Sequence, residues 1–191
     1  MLENLKSIIG SYQKISEKSL QEILNGLVFE TIQKGEVFIK LDDRNSKEYF
    51  LFEGVCKSYL RNPKGEEITI SFFTENSVLS PHQTRTFLGK SILSFKALTN
   101  LTMASIDSKK FEDLMIDNIE IRNFAHQVLQ QELMHKIQKE IGLATLTAKE
   151  RLAAFREQFK LLENTVPHTD IATYLGITNI SLSRIRKEFY K

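Results

Sequence analysis

One cysteine, Cys56, is all that the 191 residues contain. A single thiol rules out an intramolecular disulfide, a cysteine-held iron–sulfur cluster and a zinc knuckle, and it suits a reducing compartment. Histidine is scarce too, with four in all. His126 and His135 lie nine positions apart and do not share a helix face. His82 is the one histidine in the strand-rich half of the chain. The clustered His and carboxylate ligands of a β-barrel metalloenzyme are therefore missing, and the expectation is no metal, no cofactor and no enzyme. No apolar stretch approaches the ~18 residues of a membrane span, and "MLENLKSIIGSYQKIS" lacks a basic segment followed by a long apolar run. The expected location is cytoplasmic, with no membrane partner. A strong charge of one sign is also lacking, the formal net being +2. Repeats and low-complexity segments are absent.

What is present is an ordinary globular composition, 41% hydrophobic and 26% charged, on a chain long enough for one sizeable core and a smaller second domain. Basic residues gather late. From Thr145 to Lys191 there are eight Lys/Arg against five Asp/Glu, and from Thr178 onward four against one. That excess points to an anionic partner.

The periodicity changes twice along the chain. "ISEKSLQEILNGL" predicts a short helix with Ser16 as N-cap, Leu20, Ile23 and Leu24 on one face, and a stop at Gly26. Between Val28 and about Ile106, "EVFIKL", "EYFLFEG", "CKSYLRN", "EEITISFF" and "SFKALTNLTMASI" read as short strands. They are separated by "QKGE", "DDRNSKE" and the hairpin turn "NPKGEE". Such a run predicts an antiparallel sandwich or barrel. A long helix follows, with Ile121, Ala125, Leu129, Leu133, Ile137 and Ile141 four apart and Phe124 and Val128 alongside. This stripe either packs wholly on its own β-domain or pairs in part with a second copy. Its length favours the second. "TAKE" at Thr147–Glu150 is a capping-box pattern opening a helix with Leu152, Phe155, Phe159 and Leu162 inward, broken at Asn164–Pro167.

"TDIATYLGITNISLSRIRKEF" then predicts two short helices joined at Gly176. Thr169 or Asp170 caps the first, which turns Ile171, Ala172 and Leu175 inward, while Ile177 plugs the space between the two. Thr178 or Asn179 caps the second, whose buried side is Leu182, Ile185 and Phe189. Its other face shows Ile180, Ser183, Arg184 and Lys187. This is helix-turn-helix spacing, in which the second helix enters the major groove. The plainer alternative is a pair of packed helices with a solvated basic face. Glu188 is the only acid after Asp170, and that favours DNA.

Two stretches, "KGEVFIKLDDRNSKEYFLFEGVCKSYLRNPKGEE" and "IATYLGITNISLSRIRK", in this order, resemble the Crp/Fnr family of bacterial transcription regulators, and most of all its short members from Bacteroidetes. The resemblance implies an α+β chain: an N-terminal antiparallel β-roll like a cyclic-nucleotide-binding domain, a long dimerisation helix and a C-terminal all-α helix-turn-helix domain. The domains would be residues 1–142, with the dimerisation helix at about 110–142, and residues 143–191, which read as lacking the family's β-hairpin wing. Implied partners are double-stranded DNA, a second copy, RNA polymerase and an unidentified small-molecule effector.

Residue by residue, Arg184 matches the recognition-helix arginine that the family uses on guanine. Asn179 and Ser181 fall where members contact bases or phosphates, and Thr178 and Ser183 flank them. Thr169, Arg186 and Lys187 would position on phosphate. Ile180 departs from a glutamate common in the family and fits a thymine methyl, so the target site should differ from the best-known consensus. The effector-binding residues are unknown. Ser80 and Pro81 stand where a Gly-Glu pair would hold a ribose, and Ser91 and Ile92 where an Arg-Ser pair would hold phosphate. Cyclic AMP is not expected. Arg85, Lys90 and Lys96 offer charge at other positions, and His82 as a haem-type ligand is the weaker reading. The rival function is a ligand-binding β-roll whose C-terminal helices contact a protein instead of DNA.

Overall fold

The structure, a computed structural model, describes residues 2–189. Two helices open the chain, α1 (Leu2–Tyr12) and α2 (Glu17–Leu24), followed by β1 (Val28–Ile32), β2 (Val37–Ile39), β3 (Lys47–Glu53), β4 (Cys56–Arg61), β5 (Glu67–Phe73) and β6 (Ser77–Val78). A single turn, α3 (His82–Arg85), leads to the short strands β7 (Thr86–Phe87) and β8 (Lys90–Ser91), then β9 (Ser94–Ala97) and β10 (Leu101–Asp107). The rest is helical: α4 (Ser108–Asp117), α5 (Ile119–Thr145), α6 (Ala148–Gln158), a 3-10 turn at Leu162–Asn164, α7 (His168–Tyr174) and α8 (Asn179–Glu188). The expected α+β class and order of elements are present. The helix α1 is an addition; its Leu5, Ile8 and Ile9 are buried at i, i+3, i+4 spacing.

The chain divides into two compact units, residues 1–58 with 72–133, and residues 59–71 with 134–191. Antiparallel strands of the first run in the order β1-β10-β3-β6; a second sheet has the order β2-β9-β4-β5, in which residues 59–61 of β4 and 67–71 of β5 are counted with the second unit. Strand alternation builds two cores from one sheet. Phe50 and Phe52 of β3 and Ala104 and Ile106 of β10 face the helices, joining Leu5, Ile23, Phe111, Ile121 and Phe124. Tyr49, Leu51, Leu101 and Met103 face the other way, into the roll with Phe73 and Phe95. Cys56 lies in that inner core fully buried, and burial pushes its thiol pKa up, so it packs as a small apolar group.

The helical stretch expected from about 110 is two helices. Asn118 leaves the helical conformation, and its Oδ1 accepts from the Glu120 N–H, capping α5. Ser16 caps α2 as expected. The Glu120 carboxylate bonds the Ser16 N–H and both the Ser16 and Ser19 hydroxyls at 2.5–2.9 Å, which lowers its pKa to about 2.

In the second unit the "NPKGEE" hairpin turns as expected. Asn62 Oδ1 accepts from the N–H groups of Lys64 and Glu66, and Gly65 takes φ +81°. The Thr69 N–H bonds Thr173 Oγ1 at 3.1 Å, and Lys139 donates to the Ile70 carbonyl at 2.7 Å. The capping box at Thr147 and Glu150 forms in full. Helix α6, however, ends at Gln158, because Phe159 leaves the helical region and Leu161 takes φ +66°. That reversal buries Leu162 and Val166 with Leu152, Phe155, Ile171, Leu175 and Leu182.

Candidate nucleic-acid interface

The turn between α7 and α8 follows from backbone bookkeeping. The Ile177 N–H bonds the Ala172 carbonyl at 3.0 Å and the Gly176 N–H that of Thr173 at 3.1 Å, the two bonds of a Schellman motif. Gly176 sits at φ +67°, and an added Cβ would press on Leu143 at 3.0 Å. Conformation and proximity both demand glycine there. Thr178 then caps α8, its Oγ1 accepting from the Ser181 N–H at 3.1 Å. At the start of α7 the expectation fails. Neither Thr169 nor Asp170 is the cap: Pro167 stands there with no side-chain bond, and both residues lie inside the first turn.

Asn179, Ile180, Ser183, Arg184 and Lys187 are all exposed, and at 3.6 residues per turn they share about 140° of the α8 surface. Ile180 is 68% exposed, an apolar side chain in open water. Among the described residues no hydrogen bond or ion pair involves Arg184. Thr169 is exposed as well, on the separate helix α7. Thr178 and Ser181 are partly spent on each other, their hydroxyls 2.9 Å apart. The N–H groups of Asn179 and Ile180 precede the first intrahelical bonds and point outward.

Arg186 is elsewhere. Its Nε lies 2.7 Å from Glu163 Oε1, a contact off the N–H axis and so mainly coulombic. One of its terminal nitrogens is within 3.0 Å of both ring nitrogens of His168. Glu163 also takes a fork from Arg156, at 2.6 and 3.1 Å, and its pKa is held down first by that bond. Arg186 therefore fastens α8 to the 3-10 turn and to α7, and is not an open phosphate contact. Phe189 departs too: it is 38% exposed with the cations of Lys149 and Arg156 at 5.3 and 4.6 Å from its ring, while Leu182 alone is fully buried and Ile185 half-buried. No spacing rule reveals Glu163 and His168 as partners of Arg186, because the reversal at Leu161 brings them there.

The roll positions read against a cyclic nucleotide are occupied internally. The Ser80 hydroxyl donates to Glu132 at 2.6 Å, and buried Ser91 donates to the Leu93 carbonyl at 2.7 Å. Arg85 is fully buried, with Nε on the Ser80 carbonyl, one terminal nitrogen on Asn45 and the other on the Lys47 carbonyl. It is a buried strut of the roll, each of its three nitrogens bonded to the roll's own oxygens. Among the described residues no cluster of three His, Cys, Asp or Glu could hold a metal, and no helix is long and apolar enough to cross a membrane.

A strand roll, a long helix and a capped helix-turn-helix are thus present in one chain, in the order expected. No protein-family model matches the chain. Among curated proteins it is 26% identical over 174 residues to the anaerobic regulatory protein of Aggregatibacter actinomycetemcomitans, covering 84% of this chain and 66% of that one. It is 25% identical over 186 residues to the fumarate and nitrate reduction regulatory protein of Yersinia pestis, covering 84% and 68%. Among solved structures, FixK2 from Bradyrhizobium japonicum superposes with a TM-score of 0.73 at 19% identity, covering 86% of this chain and 84% of that one. A protein assigned to the Crp/Fnr family of transcriptional regulators, from Eubacterium rectale, superposes with a TM-score of 0.70 at 15% identity, covering 92% of this chain and 84% of that one, so the chain shares that fold. It spans about two thirds of the length of the curated relatives it matches.

Proposed function

We propose that the chain is a dimeric, sequence-specific DNA-binding regulator of transcription with α8 as its reading helix. The observation that carries this is the exposed face of α8: Arg184 and Lys187, with no hydrogen bond or ion pair among the described residues, beside Asn179, Ser183 and an exposed Ile180. In a major groove Arg184 donates two bonds to guanine O6 and N7, and Ile180 packs on a thymine methyl. The N–H groups at the start of α8 and Lys187 take phosphates, and Thr169 takes one from α7. Arg186 fixes the angle of α8 from behind.

The second half of α5 supplies the dimer seam. Leu133, Met134, Ile137 and Ile141 are 57, 46, 39 and 55% exposed and fall within about a third of the helix circumference. Two such stripes pair as a short coiled coil and set two reading helices on half-sites about one DNA turn apart. RNA polymerase and a small-molecule effector enter the same reading as partners. The test is selection of genomic DNA fragments by the purified chain at two salt concentrations, beside Arg184→Ala. Enrichment of a two-fold-symmetric site, lost in the variant, supports the reading; absence of binding at both salts overturns it.

A further inference from the structure

The first unit holds a cavity of about 220 Å³ bordered by β3, β6, α4 and α5. Phe50, Phe111, Phe124 and Val128 wall it with apolar surface, and Glu48 is its one carboxylate. Both Glu48 oxygens rest on a single donor, the His82 N–H, at 2.9 and 3.1 Å. One N–H leaves most of a carboxylate's accepting capacity unused. Burial raises the Glu48 pKa to about 7, against the pull of that N–H and of the Arg85 charge. The charged groups around it are otherwise engaged or at the rim. Arg85 is committed to Ser80, Asn45 and Lys47. Arg122 lines the cavity but donates to the Met115 and Ile116 carbonyls at the end of α4. His126 lines it as well and is exposed.

We propose that this cavity is a binding site for a small, flat, mainly apolar molecule bearing an amine, its ring against the three phenylalanines and its nitrogen on Glu48. An aromatic wall suits a planar ring, and a carboxylate short of donors gains a charge-assisted bond from an ammonium group. The volume lies below the ~300 Å³ at which drug-sized sites begin, which limits the ligand to about a dozen non-hydrogen atoms. The proposal goes beyond the regulator reading and does not depend on it, since its test uses no DNA.

The test is calorimetric titration of the full chain at pH 8, where Glu48 is ionised, with tryptamine and with indole-3-acetate. The two share a ring and differ in the sign of their charge. Tryptamine should bind at least about tenfold more tightly, Glu48→Gln should erase that preference, and Leu129→Trp, at the cavity wall, should block both probes. Circular dichroism checks that the variants fold; if Leu129→Trp does not, Ala125→Met, which also reaches the cavity, replaces it. Absence of binding by either probe, equal affinity for the two, or a preference that survives Glu48→Gln overturns the site.

Discussion

The two halves of α5 have similar apolar content and opposite surroundings. In the first, Ile121, Phe124 and Val128 are 0, 1 and 6% exposed, with Phe124 stacked on Phe50 at 6.3 Å and edge-on to Phe111 at 6.5 Å. In the second, Leu133, Met134, Ile137 and Ile141 face water. A helix carries a stripe along its whole length, but a small β-roll covers only the turns that reach it. Bare apolar turns on an otherwise well-packed chain mark a surface meant for another molecule. Buried apolar groups hold the fold, and in the proposed dimer the exposed ones at the same spacing would meet the second copy.

Substitutions sharpen or break that contrast, and the largest effect belongs to the buried half. Phe124→Ala should destabilise the chain by about 3–5 kcal/mol in denaturant unfolding, while Leu133→Ala should stay within about 0.5 kcal/mol for the monomer. Equal costs would erase the distinction. Next comes association. The pair Ile137→Lys with Ile141→Lys should raise the dimer dissociation constant about a hundredfold in sedimentation experiments, close to 2.7 kcal/mol. A dimer that survives both charges would place the seam elsewhere.

A smaller effect is expected inside the second unit. Gly176→Ala should cost about 1–2 kcal/mol, because a left-handed backbone then carries a Cβ that also presses on Leu143. A pH effect is expected in the first unit as well. The folded Glu48 pKa of about 7 lies above its ordinary value of 4.5. Its contribution to stability is therefore complete below pH 4.5 and is lost as pH rises through 7. Glu48→Gln should flatten that part of the melting-temperature profile; an unchanged slope would show the carboxyl to be solvated.

Much of the scaffold was legible because its signals are local. Ser16, the Thr147–Glu150 box and the Gly176–Thr178 turn each satisfy backbone groups within a few residues, so a short quotation of sequence contains donor and acceptor alike. The outward face of α8 was legible for the same reason, since Asn179, Ile180, Ser183, Arg184 and Lys187 share it by helical spacing alone. The α7 cap and the break at Asn118 were misread within one segment; the other misreadings involve partners far along the chain or beyond a reversal. Arg186 looks like Arg184 in sequence, but Glu163 and His168 reach it only once the chain has turned at Leu161. Phe189 continues the i, i+3, i+7 pattern, yet Lys149 and Arg156 take its ring at the surface.

The sequence by itself determined the order of the strands and later helices, the caps of α2, α6 and α8, the turn chemistry and the stripe of α5, because each depends on spacing along one continuous segment. Tertiary structure decided which half of that stripe is covered, which of two neighbouring arginines stays open, and that Arg85 is a buried strut while Glu48 lines a cavity. The physical reason is that burial and charge pairing depend on what packs against a side chain, and those neighbours lie up to about 40 residues away for Arg85 and about 80 for Glu48.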